Sequence, residues 1–391
     1  MVQPSDQTTV VIVGAGVAGL TLGNFLRRNG VGCVIVEKNS REYVEQRQRA
    51  GTVDARGVRM YRAWGLDEVL EGESLPDVAG GFWIDGDELP IDLDDEDNKD
   101  SILCPQQILV RNLTDVFLRE GGDLRFQAAD VTLGDLDSEH PFVRYRDAGG
   151  ADRAVRCDFI AGCDGDRGVS RASIPAGVLT RYSHEYGYAW LSVLAAVPGT
   201  SAGMAIHSRG LAGLIPRGAN ASRIYLQIPL DATLEQWPDE RIWSELAARY
   251  GSPREAGPII TKQIVPLRSV VHEPMAHGRL HLLGDAAHIV PPMSAKGINL
   301  ALNDAETLAR AVIEKERTGD STLLGRYSED CLRHVWNYQA FAAWITDTMH
   351  DAGDPSYAGE FRRKIARAEL QRQFASPTAN RLFGELTSGV N

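Results

Sequence analysis

A glycine-rich turn between two apolar segments near the start of the chain constrains the fold more than any other feature. Residues Thr9 to Val13 are β-branched throughout, which is typical of a strand buried on both faces. The turn Gly14-Ala-Gly16-Val-Ala-Gly19 follows, and a helical pattern then runs to about Arg28. A second apolar strand, Cys33 to Val36, ends at Glu37. This order predicts the first unit of a doubly wound parallel sheet.

The residues of this unit have physical roles in dinucleotide binding. Gly14 permits the tight turn, Gly16 lets a pyrophosphate approach the backbone, and Gly19 lets helix and strand pack closely. The helix N-terminus offers unpaired N–H groups and a positive dipole end to the phosphates. Glu37 is placed to accept hydrogen bonds from a ribose hydroxyl and would repel a 2′-phosphate. The pattern predicts a site for FAD or NAD rather than NADP; the alternative is a glycine turn used only for packing.

Composition and charge limit the partners of the chain. Its 391 residues can form two or three domains with a large core. A net charge of −12 argues against nucleic acid and against anionic lipid as partners. No run of 18 apolar residues and no signal-peptide pattern are present, so we expect a cytoplasmic protein without a membrane partner. The five scattered cysteines predict reduced thiols and no metal site.

Two later glycine-rich segments also follow apolar strands. The strand Cys157 to Cys163 leads into Asp164-Gly-Asp-Arg-Gly-Val-Ser-Arg171, which by itself fits a salt-bridged turn as well as a binding site. The strand Arg279 to Leu283 runs into Gly284-Asp285, and about a dozen residues separate it from the next helix, where two to six would suffice. The long loop indicates that a bound group is held at the N-terminus of that helix.

Together these segments resemble the single-component FAD-dependent aromatic hydroxylases, the group A flavoprotein monooxygenases. The likeness is strongest to the branch around 4-hydroxybenzoate 3-hydroxylase, and it rests on the segments RQRAG, CDFIAGCDG, GVSR, DERIWSEL, PLRS, EPMAHGRL and GDAAHIVPPMSAKGINLA. It implies non-covalently bound FAD, NADPH or NADH as co-substrate, O2, and a small aromatic acid as substrate. The implied reaction is ring hydroxylation through a flavin C4a-hydroperoxide. A homodimer is left open as an alternative to a monomer.

The predicted fold is α/β (α+β overall), with a doubly wound FAD-binding domain, an antiparallel-sheet substrate domain and C-terminal helices. The antiparallel strands are indicated by alternating apolar and polar residues in 179–265. We assign residues 1–75, 100–178 and 266–320 to the FAD-binding domain, residues 76–99 and 179–265 to the substrate domain, and residues 321–391 to a C-terminal helical region.

The resemblance also implies which residues bind the two nucleotides. Those expected around FAD are Gly14, Gly16, Gly19, Glu37, Lys38, Arg47, Arg49, Gln106, Asp164, Asp285, Lys296, Gly297 and Asn299. No second dinucleotide fingerprint exists, so the nicotinamide co-substrate is expected in a surface groove. Its residues are Tyr43, Arg49, Arg167, Arg171 and Arg268, with Lys38 and Arg47 as further candidates. Reduced flavin carries negative charge near N1, which a helix N-terminus stabilises.

An arginine and a tyrosine are the substrate anchors that the resemblance implies. Arg217 would clamp the carboxylate of the aromatic acid through two parallel hydrogen bonds, with Tyr225 as its partner. The Pro291-Pro292 pair would stiffen the long loop and aim the Pro292 carbonyl into the pocket. The expected catalytic residues are Pro292, Arg217, Tyr225, Met204 and His207.

The chain departs from the family pattern at three substrate-binding positions. Ile215 replaces a carboxylate-binding serine, Met204 replaces the tyrosine that receives the phenol proton, and Thr387 replaces the relay tyrosine. We therefore expect a hydroxy- or aminobenzoate-like substrate that is activated by an amino group or a second hydroxyl. Alternatively, its hydroxyl points toward another group, for which the candidates are His207, Tyr182, Tyr186 and Tyr188.

The lost hydroxyl groups leave two other functions open. One is a flavin-bound sensor or scaffold that catalyses no hydroxylation, and the other is an oxidative decarboxylase of a benzoate. A flavin halogenase is disfavoured, because its W-x-W-x-I-P signature is missing.

Overall fold

The computed structural model describes residues 6–46, 51–72, 75–76, 81–89, 99–198, 203–217, 220–350 and 358–389. The strands are, in chain order, β1 Asp6–Val13, β2 Cys33–Val36, β3 Thr52–Val53, β4 Leu75–Pro76, β5 Gly81–Ile84, β6 Asp87–Leu89, β7 Ile102–Leu103, β8 Asp123–Arg125, β9 Ala129–Gly134, β10 Phe142–Arg146, β11 Asp152–Gly162, β12 Thr180–Ala195, β13 Gly203–Ile206, β14 Ala212–Pro216, β15 Ser222–Pro229, β16 Ile259–Glu273, β17 Ala276–His277, β18 Leu280–Leu282 and β19 His288–Ile289. The helices are α1 Val17–Arg28, α2 Arg41–Gln46, α3 Ala55–Ala63, α4 Gln106–Arg119, α5 Asp239–Tyr250, α6 Gly297–Thr318, α7 Thr322–Met349, α8 Arg363–Ala375 and α9 Pro377–Ser388.

The first sheet is built around β1. Its strands follow the order β17-β18-β11-β1-β2-β8, and β10 and β9 extend it from β11 in antiparallel fashion. β1 pairs in parallel with both β2 and β11, and its residues Val10 to Val13 are at most 4% exposed. The run of β-branched residues is therefore buried on both faces, with α1 packed against α4 and α6. This arrangement confirms the predicted doubly wound α/β unit.

The second sheet is antiparallel except at one pair of strands. Its order is β19-β16-β12-β15-β14-β13-β5-β6, and only β13 and β5 pair in parallel within the described residues. β12 and β16 pair from Thr180 opposite Glu273 to Ala195 opposite Ile259, with register shifts between Glu185 and Ala189 and between Leu194 and Ala195. β5 and β6, from the segment 76–99, join strands from 179–265, while the predicted boundary at 265/266 falls inside β16. The division into domains stays a proposal.

The two faces of this second sheet pack against different partners. Along β15, Ile224, Leu226 and Ile228 form one cluster with residues of α5 such as Leu246. The intervening Tyr225 belongs instead to the large core cluster that includes the first sheet. Alternation along a strand thus leaves one face for α5 and directs the other toward the nucleotide-binding unit.

The C-terminal helices cover the junction of the two sheets. α7 packs against α6 and β16, α8 against α7, and α9 against α8. Among the residues described, no helix combines the length and apolarity that a membrane span requires.

Candidate active site

The glycine turn contains two glycines that close packing requires and one glycine that faces open space. Gly14 has φ +108°, and an ideal Cβ on it would lie 2.5 Å from the Cys163 carbonyl oxygen. A Cβ on Gly19 would lie 2.1 Å from the Gly14 carbonyl oxygen. A Cβ on Gly16 would meet no described heavy atom within 4 Å. Packing therefore explains Gly14 and Gly19, whereas Gly16 leaves room for a ligand at the start of α1.

Glu37 supports the glycine turn from the end of β2. It is 7% exposed, and its Oε2 accepts a hydrogen bond from the Ala15 N–H at 2.9 Å. Its Oε1 accepts from the Asn39 backbone N–H at 2.8 Å and from its Nδ2 at 2.7 Å. The carboxylate thus lies beside the turn, and contact with a ribose stays a prediction. Lys38, the next residue, is exposed.

A second turn, at Gly284-Asp285, lies against the same helix. A Cβ on Gly284 would be 3.7 Å from the Ala18 side chain of α1 and 3.3 Å from the Ala301 side chain of α6. The turn therefore fits between these two helices. Gly284 has φ +60°, a conformation that favours glycine.

A buried histidine–aspartate pair holds this second turn. Asp304 is fully buried, and its Oδ2 accepts from the Gly284 N–H at 2.9 Å and lies 2.7 Å from His288 Nε2. Burial lowers the pKa of His288, but the charge and hydrogen bond of Asp304 outweigh it, and the pKa lies above its usual value. Sequence reasoning missed both residues, although an acidic residue on the apolar face of the predicted helix α6 was a usable signal.

The turn after β11 carries Asp164, one of the predicted FAD residues. Its Oδ2 accepts from the Ser170 N–H at 2.8 Å, and its Oδ1 is buried without a hydrogen-bond partner in the described part of the chain. Burial raises the pKa of Asp164 despite the hydrogen bonds that it accepts. An unpaired buried oxygen is costly, so a donor from a bound group fits here. Gln106, the first residue of α4, is half-buried.

The loop before α6 is shaped by Pro292. A one-turn helix covers Pro292–Ser294, and Ala295 follows in the left-handed region at φ +53°. The Pro292 carbonyl accepts a hydrogen bond from the Ala295 N–H at 3.0 Å. A carbonyl oxygen has two lone pairs, so this bond leaves one for another partner. Gly297 is the first residue of α6 and is exposed. A Cβ added to Gly297 would meet no described atom within 4 Å.

Lys296 forms an ion pair inside the protein. Its Nζ lies 2.7 Å from Asp54 Oδ2 and donates to the Thr387 carbonyl at 2.8 Å, and both charged side chains are at most 4% exposed. Asn299 accepts from the Asp54 N–H at 3.1 Å and donates to the Thr52 carbonyl at 3.2 Å. These contacts join the start of α6 to β3, α3 and α9. The expected position of Lys296 and Asn299 beside the flavin stays a prediction.

The predicted nicotinamide residues occupy several places. Tyr43 is 54% exposed on α2, and Arg167 is exposed in the turn after β11. Arg171 and Arg268 meet at the carboxylate of Asp166. The other two expected residues, Arg47 and Arg49, lie outside the described residues.

Several predicted substrate residues share the sheet face that is turned toward the first sheet. Met204 is paired with Gly213, which is paired with Tyr225 on the next strand. A Cβ on Gly213 would lie 2.7 Å from Met204 Sδ and 3.5 Å from the Tyr225 ring, so these residues are neighbours. Ile215 follows two residues later on the same face, opposite Arg223. The centroid of the Trp190 ring lies 4.5 Å from that of the Tyr225 ring. We call the surface formed by Met204, Ile215, Tyr225 and Trp190 the substrate wall.

Two arginines give this wall a positive end. Arg217 lies in the hairpin after β14, and its Nε and Nη1 are buried without a hydrogen-bond partner among the described residues. Arg223 is 5% exposed and donates to Ser192 Oγ at 3.4 Å. Burial lowers the pKa of Arg223, Tyr225 opposes this, and the charge of Arg217 adds to it. Unpaired buried guanidinium nitrogens indicate an anionic ligand.

Sequence reasoning missed Arg223, Trp190 and His350. Arg223 and Tyr225 are two residues apart on a strand, so alternation alone places both side chains on one face. Trp190 Nε1 donates to His350 Nε2 at 2.7 Å, and burial lowers the pKa of His350 to about 4. The neutral histidine therefore fixes the indole ring; no sequence signal linked residues that lie 160 positions apart.

Two expected substrate residues lie outside the strands of this sheet. His207 follows Ile206, the last residue of β13. Its Nδ1 accepts from the Arg209 N–H at 3.1 Å, which makes His207 part of a turn. The Thr387 hydroxyl donates to the Phe383 carbonyl at 2.9 Å within α9. The roles expected for His207 and Thr387 stay predictions.

The three candidate tyrosines form a series along β12. Tyr182 is 47% exposed and packs edge-on against Trp336. Tyr186 shares a hydrogen bond of 3.3 Å with Ser269 Oγ, and Tyr188 stacks on His350 with ring centroids 4.8 Å apart. Burial raises the pKa of Tyr188 above its usual value.

Comparisons with known proteins agree with this geometry. A family model described as an FAD binding domain matches residues 7–342. The chain is 36% identical to a p-hydroxybenzoate hydroxylase of Acinetobacter baylyi, covering 98% of this chain and 96% of that protein. It is 27% identical to a probable NADH-specific resorcinol 4-hydroxylase of Rhodococcus jostii, covering 83% of this chain and 62% of that protein.

A solved structure shows the same fold. The p-nitrophenol 4-monooxygenase from Pseudomonas putida DLL-E4 superposes with a TM-score of 0.82 at 20% sequence identity, covering 98% of this chain and 99% of that chain.

Replacing Gly16 by valine should abolish FAD retention and leave the fold intact. Gly16 has an extended backbone with φ −82°, and the added side chain would fill only the open space beside α1. Gly14→Ala is the control: its Cβ meets backbone atoms, so it should destabilise the protein itself. Flavin absorbance per protein after gel filtration and circular-dichroism melting separate the two effects. A full FAD load in Gly16→Val would show that FAD binds elsewhere.

Replacing Lys296 by methionine should destabilise the protein by roughly 3–5 kcal/mol, because the buried Asp54 carboxylate loses its partner. The double variant with Asp54→Asn should recover much of this loss. The amide oxygen introduced by Asp54→Asn would keep the cap that Asp54 Oδ1 gives to the Gly57 N–H at 2.9 Å. Urea unfolding of the four proteins measures the coupling. Additive effects would mean that the ion pair contributes nothing.

Proposed function

Because the chain belongs to the FAD-binding-domain family of single-component aromatic hydroxylases, we propose that it hydroxylates a small aromatic carboxylic acid whose ring carries an amino group or more than one hydroxyl group. It is an FAD-dependent monooxygenase, and NAD(P)H is its reductant. The proposed substrate class is based on two buried nitrogens of Arg217 that have no hydrogen-bond partner in the described residues.

The carboxylate follows from the chemistry of Arg217. A buried guanidinium with unpaired donors costs free energy unless an anion binds it, and a carboxylate matches its fork through two parallel bonds. Arg223 adds a second positive charge nearby. A neutral phenol such as resorcinol would leave these donors unpaired. The arginines therefore favour an aromatic acid over the neutral substrate named for the relative from Rhodococcus jostii.

The remaining residues of the wall orient the ring. Trp190, Tyr225, Met204 and Ile215 present mostly apolar surface, which excludes water and stacks against an aromatic substrate. Bound FAD would supply the electron transfer from NAD(P)H and the activation of O2. Gly16, the α1 N-terminus and the unpaired Asp164 oxygen are the groups that would hold it.

The wall provides little help for removing a phenol proton. Met204 has only a thioether sulfur, a weak acceptor, at the position closest to Tyr225 across Gly213. The Thr387 hydroxyl is bonded within its own helix. Electrophilic hydroxylation requires an electron-rich ring, and an amino group or a second hydroxyl enriches the ring without a proton acceptor from the protein. This supports an amino- or dihydroxybenzoate as the substrate.

The test is a panel of benzoates with the purified, FAD-loaded protein. NADH and NADPH oxidation is recorded with each acid, and hydroxylated product is quantified by mass spectrometry. Product from an amino- or dihydroxybenzoate supports the proposal. Reductant consumption that no acid stimulates would favour a sensor or scaffold, and release of CO2 would favour an oxidative decarboxylase.

Arg217→Ala should weaken binding of the aromatic acid by roughly 30- to 4,000-fold, since removing one partner of a buried charged pair costs about 2–5 kcal/mol. FAD content should stay normal. The dissociation constant is read from the change in flavin absorbance on titration. Arg209→Ala, an exposed arginine at the far end of the same sheet, is the control and should bind normally. Unchanged affinity in Arg217→Ala would place the anchor elsewhere.

Met204→Tyr should shift preference toward 4-hydroxybenzoate, because it adds a phenol that can accept or relay the substrate proton. The unaltered protein should couple poorly with 4-hydroxybenzoate and release H2O2. The measurement is product formed per NAD(P)H consumed, for 4-hydroxybenzoate and for the best amino- or dihydroxybenzoate. Met204→Leu controls for the change in volume. Tight coupling of the unaltered protein with 4-hydroxybenzoate would contradict this account.

A further inference from the structure

Three charged residues meet beside the turn that carries Asp285. Arg268 Nη2, from β16, lies 2.6 Å from Asp166 Oδ2. Arg171 Nη2 lies 3.4 Å from Asp166 Oδ1 and also donates to the Asp166 backbone carbonyl. The other Arg171 nitrogen, Nη1, donates to the Ala286 carbonyl at 2.9 Å. One carboxylate therefore bridges two arginines, and one of these arginines contacts the Gly284–Ala286 turn.

The bridge is ionic and partly accessible to solvent. The side chains of Asp166, Arg171 and Arg268 are 26%, 22% and 34% exposed. Burial raises the pKa of Asp166, but Arg268 above all, then Arg171 and His272, bring it below its usual value. The adjacent Gly165 has φ +75°, and a Cβ on it would meet no described atom within 4 Å. A ligand can therefore approach this turn from its open side.

The two arginines have the chemistry of a phosphate site. A guanidinium binds a carboxylate or a phosphate through the same planar fork, so the two anions compete for it. Asp166 Oδ2 already contacts one nitrogen of Arg268, Nη2. A phosphate that binds this nitrogen must displace Asp166, whose charge then stays close to the incoming phosphates.

We propose that Asp166 is an internal competitor for the pyrophosphate of the nicotinamide co-substrate and sets the affinity of the chain for it. This inference rests on the proposed function, because it requires that the protein use NAD(P)H. Asp166 holds Arg268 and Arg171 in place while the co-substrate is absent. When the co-substrate binds, its pyrophosphate replaces Asp166 as the partner of Arg268, and Asp166 stays near Arg171. The exchange weakens co-substrate binding and therefore speeds its release.

The experiment measures binding of ADP-ribose, which carries the pyrophosphate but transfers no hydride. FAD-loaded full-length protein is titrated by isothermal calorimetry. Asp166→Asn should bind ADP-ribose about three- to tenfold more tightly than the unaltered protein, because the competing charge is removed. Asp152→Asn, an exposed position at the start of β11, makes the same change in net charge and should bind normally. Arg268→Met should bind more weakly.

The outcomes separate the two proposals. Unchanged or weaker binding in Asp166→Asn overturns the competitor role, provided that its FAD content and melting temperature are normal. Asp166→Ala is the second variant and should show the same gain. Normal ADP-ribose binding in Arg268→Met also overturns it, whatever the Asp166 variants do. If the unaltered protein neither binds ADP-ribose nor oxidises NAD(P)H, the proposed function fails as well.

Discussion

The parallel register around β1 is the constraint on which the rest of the structure depends. Val13 is paired with Val36 on one side and with Gly162 on the other, and Gly162 is paired with Leu282. Four strands from distant parts of the sequence therefore end at the same level of one sheet. The segments that follow them are the glycine turn, Glu37, the Asp164 turn and the Gly284 turn. Because the carboxyl ends of parallel strands share an edge, backbone pairing alone assembles this site.

Buried charges in the structure fall into two kinds with different meanings. Lys296 with Asp54, and His288 with Asp304, form ion pairs inside the protein and fix the loop and helix that border the site. Arg217 has buried nitrogens that no described residue pairs. A paired buried charge fixes the positions of the elements that carry the pair. An unpaired buried charge is costly unless a ligand of opposite charge binds to it. This difference is why the proposed substrate class is argued from Arg217 and not from Lys296.

Local sequence patterns were sufficient for the nucleotide-binding unit but not for the ion pairs around it. The β-branched strand and the glycine spacing predicted β1, the turn and α1, because each signal lies within a few residues. Strand alternation could also have placed Arg223 on the same face as Tyr225. The Lys296–Asp54 contact joins residues 242 positions apart, and nothing in a single sequence encodes that distance.

The long pairing between β12 and β16 has a mechanical consequence. These strands are 16 and 15 residues long, and they are paired on both sides of an irregularity between Glu185 and Ala189. Rotating one half of the molecule as a rigid body would break many backbone hydrogen bonds at once. The pairing therefore resists relative rotation of the two halves, and changes of side-chain rotamer or loop conformation are the less costly motions for admitting a ligand.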